Sequence, residues 1–203
     1  MLYRRIINAL YARIFRIIFR SFFKTYGKES SIVFPLQILG IKNISIGNHV
    51  YIAYKAYLAA RPLTGEKNCS LEIGDGTCIG NFNHIYATKK ITIGKNVLTA
   101  DKVYISDNLH GYEDIQVPII YQPLKQVNEV DIGDGTWIGE NACIIGAKIG
   151  KNCVIGANSV VRKEIPDYSV AVGAPAKIIK RFNIEKNIWE NTNPDGSFIL
   201  IKA

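Results

Sequence analysis

The chain has 203 residues, 48% of them hydrophobic, enough for one domain with a sizeable core and small appendages at its ends but not for a second full domain. Its formal net charge is +8, yet residues 1–28 carry seven cations and no acid, which leaves +1 for the remainder. Basicity confined to one segment argues against nucleic acid as a partner. Cys69, Cys78, Cys143 and Cys153 have neither C-x-x-C spacing nor the density of a secreted disulfide scaffold, so a reduced, cytoplasmic interior is expected.

Residues 1–28 are expected to form a basic amphipathic helix. On a helical wheel Arg5, Arg13, Arg16, Arg20 and Lys24 gather on one side, while Ile7, Leu10, Ile14, Ile18 and Phe22 take the other. The arginines interrupt the apolar run too often for a membrane span or a secretion signal. Two readings stay open for residues 1–24: docking on the protein, or peripheral contact with the inner face of an anionic membrane.

From residue 29 to 181 the sequence repeats with a step of six. Aliphatic anchors stand at Ile46, Ile52 and Leu58, at Ile73, Ile79, Ile85 and Ile91, at Ile132, Ile138 and Ile144, and at Ile149, Ile155 and Val161. A small residue, usually glycine, follows many anchors, and a small or β-branched one comes four places after several. A six-residue step fits neither the 3.6-residue period of a helix nor the two-residue period of a hairpin. It fits short strands joined by tight turns, with three strands closing one coil of a solenoid and the anchors stacked as inner ladders. The dipeptides Gly47-Asn48, Gly80-Asn81, Lys95-Asn96 and Lys151-Asn152 are placed at turns that need unusual backbone angles. Residues 59–70 and the longer stretch 107–129 interrupt the repeat as loops, and residues 182–203 read as a C-terminal cap or arm.

Four stretches carry a family resemblance: KVYISDNLHGYE, IGDGTWIGENACIIG, IGKNCVIGANSVVRKEIPDYSV and AVGAPAKIIKRF, with IGNFNHI upstream. They resemble the hexapeptide-repeat O-acetyltransferases, in particular bacterial O-antigen and capsule enzymes and the galactoside and maltose acetyltransferases. The resemblance implies an all-β fold, a left-handed parallel β-helix, in which a homotrimer forms its active sites at subunit interfaces. It implies acetyl-CoA as co-substrate, no metal, and a sugar or glycan acceptor. His110, at the start of the long loop, becomes the general base: a sugar hydroxyl must lose its proton as it attacks the thioester, and imidazole titrates in the right range.

By the same resemblance a backbone N–H beside Trp137-Ile138-Gly139-Glu140 serves the oxyanion, Trp137 and Gly139 line the thioester end, and the pantetheine arm passes Ala157 and Asn158. Arg162, Lys163, Lys177 and Lys180 meet the phosphates. Asn81 and Asp107 are assigned to the acceptor. The acidic acceptor contact of galactoside acetyltransferase has no counterpart, since the chain reads Ala87-Thr88-Lys89-Lys90 there. The leading expectation is O-acetylation of a polysaccharide or glycan precursor; N-acetylation of a nucleotide-linked amino sugar, or acetylation of a small molecule, is the alternative. A zinc hydratase on a related fold needs convergent histidines, whereas His49, His84 and His110 are widely spread.

Overall fold

A computed structural model describes residues 2–199. Residue 1, residues 200–203 and the side chains of residues 2, 4 and 5 lie outside the described residues, and with them Arg5 of the expected basic face. The protein is mostly β with one long helix, α1 (Leu2–Phe19), continued by a 3-10 turn at Arg20–Phe22. The first strand, Thr25–Tyr26, already falls inside the segment expected to be helical.

Three parallel sheets are visited in rotation, so that each strand pairs with its equivalent one circuit later. The first sheet stacks Thr25–Tyr26, Ile44–Ile46, Ser70–Ile73, Lys90–Ile93, Val130–Ile132 and Lys148–Ile149. The second begins at Ser31–Ile32 and ends its parallel part at Ser169–Val172, and the third runs from Gln37–Leu39 to Val160–Val161. In register, Ile46, Ile73, Ile93, Ile132 and Ile149 form one inner column, and Leu58, Ile85, Ile105, Ile144 and Val161 form another. Every anchor named from the sequence is buried. Because strands of two to four residues bury at most three side chains each, the core consists of these columns.

One circuit escaped the six-residue reading: Ile93, Thr99 and Ile105. Thr99 takes an anchor position, fully buried, and its hydroxyl accepts from the Gly80 N–H and donates to Asn83 Oδ1, each at 3.0 Å. A buried hydroxyl with both partners made is tolerated where an unpaired one would not be.

The turns also differ from expectation in one position. The residue with left-handed backbone angles is the third after the anchor, at Gly76, Asn96, Gly135, Asn141, Asn152 and Asn158. Asn48 and Asn81 stand one place too early, and His49 (φ 55°) and Phe82 (φ 56°) adopt the left-handed conformation instead. The glycine after the anchor answers a different need: a Cβ on Gly74 would come within 2.6 Å of the Gly94 backbone in the next circuit.

The ends close differently. α1 lies over the first circuit, where Ala12 and Phe15 are buried and the Tyr11 ring stacks 3.8 Å from that of Phe34. The apolar residues of the wheel, Ile7, Leu10, Ile14, Ile18 and Phe22, remain exposed. At the other end Lys177–Asn183 and Ile188–Asn191 add two antiparallel strands to the second sheet, so the arm begins before residue 182. No helix of the described residues is long and apolar enough to cross a membrane.

Candidate active site

Both interruptions of the repeat leave from the turn between the third and first sheets. The longer is no bare loop: Asn108–His110 pairs antiparallel with Leu124–Gln126, followed outward by a 3-10 turn at Ile119–Tyr121. His110 ends the inner strand of this hairpin opposite Leu124, with its side chain exposed.

The hairpin is held at its root by Asp107. This carboxylate is fully buried and accepts the backbone N–H groups of Thr88 (2.7 Å), Lys89 (2.8 Å) and Lys90 (2.8 Å), the Thr88 hydroxyl (3.0 Å) and Asn108 Nδ2 (3.2 Å). With five donors on its two oxygens, Asp107 orients the base of the hairpin. Gln126 fastens the returning strand by accepting from Thr64 and Thr88 hydroxyls at 2.7 and 3.0 Å, so the two interruptions are tied together.

Three cavities open along the same turn, the third of them, of about 670 Å³, sharing Lys89, Arg162 and Lys163 with the other two. The first, of about 930 Å³, is lined by Lys24, Lys42, Lys67, Lys89 and Lys90; only Lys89 is offset by acids, lying 3.7 Å from Glu66 and 3.5 Å from Glu129. The second, of about 760 Å³, gathers Arg162, Lys163 and Lys177 with Pro175, three of the four expected phosphate contacts. Lys180 lies outside that cavity, paired in the added strand against Val170 and Asn191.

The remaining residues line the turn between the second and third sheets. Asn81 is consumed there: its Oδ1 accepts the Tyr54 N–H at 3.2 Å and its Nδ2 donates to both oxygens of Asp101, at 3.0 and 3.1 Å. It is a partly exposed turn residue that bridges three circuits. Gly139 packs on the circuit below, where a Cβ would stand 2.6 Å from the Ala157 nitrogen, and its N–H donates to the Ile155 carbonyl at 2.8 Å. The Trp137 N–H is likewise used, on the Cys153 carbonyl. Among the hydrogen bonds of the described residues, the next N–H, that of Glu140, has no acceptor. Trp137 is half exposed on the outer side of the second sheet, and Ala157 and Asn158 are exposed beside it.

The third sheet lies between these two turns. It carries outward a stack of Tyr57, His84 and Tyr104, with the His84 ring 4.2 Å from Tyr57, and burial lowers the His84 pKa. One chain therefore holds His110 and the cations on one side of that sheet, and Trp137, Glu140 and Ala157 on the other. The buried Cys69 thiol, beside Asp107, is pushed up to about 12 by burial and by that carboxylate, which removes it from nucleophilic chemistry.

Residues 129–163 match the family model described as a hexapeptide repeat of succinyl-transferase. The chain is 39% identical over 123 residues to a protein named as a lipopolysaccharide biosynthesis O-acetyl transferase, WbbJ, from Escherichia coli K12, covering 57% of this chain and 63% of that one. It is 30% identical to the solved maltose O-acetyltransferase of Clostridium difficile 630, covering 83% and 74% of the two chains with a TM-score of 0.52. The fold is also that of AntD, an N-acyltransferase from Bacillus cereus solved with dTDP and 3-hydroxybutyryl-CoA, at 21% identity, 84% and 89% coverage and a TM-score of 0.70. The chain spans about half to less than two thirds of the length of the curated relatives it matches. With its repeat, its rotating parallel sheets and this likeness taken together, the chain belongs to the hexapeptide-repeat acetyltransferases.

Proposed function

We propose that the protein is an acetyl-CoA-dependent O-acetyltransferase for a sugar hydroxyl of a polysaccharide or glycan precursor, working as a homotrimer of left-handed parallel β-helices. The observation that carries the reading is the division of the site: one chain keeps the base and the cations at one turn, and the open N–H at another, with a sheet between. A three-fold assembly that sets the first turn of one copy against the second turn of its neighbour completes the site. The tip of the long hairpin suits such a neighbour, since Ile115 is 90% exposed and Ile120 and Tyr121 nearly as much.

In that arrangement Arg162, Lys163 and Lys177 hold the phosphates of the co-substrate through charge-assisted hydrogen bonds. Its pantetheine arm runs past Ala157 and Asn158 toward Trp137. Acetyl-CoA supplies the acetyl group as a thioester. His110 takes the proton of the attacking hydroxyl and returns it to the leaving sulfur, while the Glu140 N–H faces the oxygen that gains charge. The lysine-lined cavity at the foot of the hairpin favours an acceptor bearing negative charge. The sugar acceptor is further supported by the relatives' own names.

The test is subunit complementation. His110→Ala and Ala157→Trp, which blocks the proposed groove, each abolish thiol release from acetyl-CoA in the presence of glycan acceptors. Co-expressed in one cell, they regain activity, because mixed trimers contain sites with both halves intact. No recovery in mixed oligomers overturns the shared site, and activity on amines alone overturns the sugar acceptor.

A further inference from the structure

α1 has a broad apolar surface, and the protein covers only part of it. At about 100° per residue, Tyr11, Ala12 and Phe15 point into the first circuit. Ile6, Ile7, Leu10, Ile14, Ile17 and Ile18 fill an adjoining arc of about 120° that turns away from the protein, with Leu10 58% and Ile17 67% exposed. A stripe of that width, apolar throughout, is more than scattered surface aliphatics.

Along one edge of the stripe run Arg13, Arg16 and Arg20. None of the three forms an ion pair among the described residues. Arg16 and Arg20 open with Lys28 onto a cavity of about 470 Å³, whose one acid, Glu29, lies 3.3 Å from His49. Residues 1–28 contain no acid at all. An apolar stripe with a cationic border, on a helix not apolar enough to span, is the pattern of a segment lying in the plane of a lipid interface.

We propose that this face of α1 docks on an anionic bilayer, with the isoleucines in the acyl boundary and the arginines on lipid phosphates, one of which enters the cavity at Arg16, Arg20 and Lys28. Charge complementarity favours this occupant over a second copy, since two such faces packed together set one arginine row against another. The docking is independent of acetyl transfer, but it bears on it. Lys24, just beyond the helix, also lines the large lysine cavity, so a docked enzyme holds that cavity close to the lipid surface.

Co-sedimentation of the full chain with vesicles tests the proposal. The protein pellets with phosphatidylcholine vesicles containing phosphatidylglycerol and stays in solution with phosphatidylcholine alone. Arg13→Gln with Arg20→Gln lowers partitioning about 25-fold, at about fivefold per cation. Ile14→Ser with Ile18→Ser, both at exposed positions, abolishes binding while the melting temperature holds. Two results overturn the proposal: wild type that stays in solution with both vesicles, or serine variants that still bind anionic vesicles but change oligomeric state in analytical ultracentrifugation, which assigns the face to a second copy. Acetyl transfer to a soluble acceptor, measured without vesicles, is unchanged in these variants and reports separately on the catalytic reading.

Discussion

The same six-residue repeat builds two very different turns. Between the first and second sheets every circuit closes tightly, and its polar groups bond to the next circuit: the Asn48 N–H to Asp75, the Lys95 N–H to Asp134, the Lys151 N–H to Asp167, at 2.6 to 2.9 Å. Between the third and first sheets, turn length varies from a few residues to the excursion 107–129, and there the cavities and His110 are found. A turn whose hydrogen bonds are spent on its neighbours cannot lengthen without breaking a ladder. A turn fastened only at its root, as Asp107 fastens this one to the circuit before it, leaves the residues beyond free to acquire chemistry.

This contrast can be broken experimentally. The largest effect is expected at the open turn: His110→Ala lowers acetyl transfer between about a hundredfold and ten-thousandfold. Its melting temperature matches wild type, because the side chain is exposed. Asp107→Ala strikes where the open turn is anchored. Three backbone N–H groups, that of Thr88 buried and those of Lys89 and Lys90 partly so, lose their acceptor, and unfolding free energy drops by about 3 kcal/mol in denaturant titration. A variant as stable as wild type removes the anchoring role.

At the closed turns effects are smaller. His49 holds a left-handed conformation that asparagine accepts more readily, so His49→Asn raises stability by about 1 kcal/mol. The exposed contact of His49 with Glu29 that it gives up counts for little. The third sheet between the turns adds a pH term. Burial lowers the His84 pKa below its ordinary 6.5, so as pH falls the unfolded chain takes up this proton first. The stability it contributes is intact above about 6.5 and declines below, and His84→Phe flattens that decline in thermal melts recorded across the range.

The sequence revealed what depends on periodicity. Thirteen anchors at a six-residue step marked the core, because an inner column accepts aliphatics and little else. Thr99 hid one circuit, since a hydroxyl satisfied by Gly80 and Asn83 substitutes for an aliphatic only when those partners are in place. Residues 25–39 hid another, with left-handed residues at Glu29 and Phe34 where glycine or asparagine would have been legible. The bonding roles of Asn81 and Asp107 inside the fold were not legible, for a common reason. Their partners stand roughly one circuit away along the chain, a distance at which local spacing carries no signal. For α1, the wheel separated cations from aliphatics but not the aromatic flank that docks from the aliphatic flank that does not.

The two added strands at the C-terminal end have a consequence for assembly. A parallel sheet that simply stopped at Ser169–Val172 would offer its bare edge to the opening strand of another molecule, and chains would grow into fibres. Lys177–Asn183 runs the opposite way and covers that edge, Ile188–Asn191 covers Lys177–Asn183 in turn, and α1 packs over the first circuit at the other end. Growth end to end through the parallel edge is thereby disfavoured, which is what the proposed closed trimer requires of its poles.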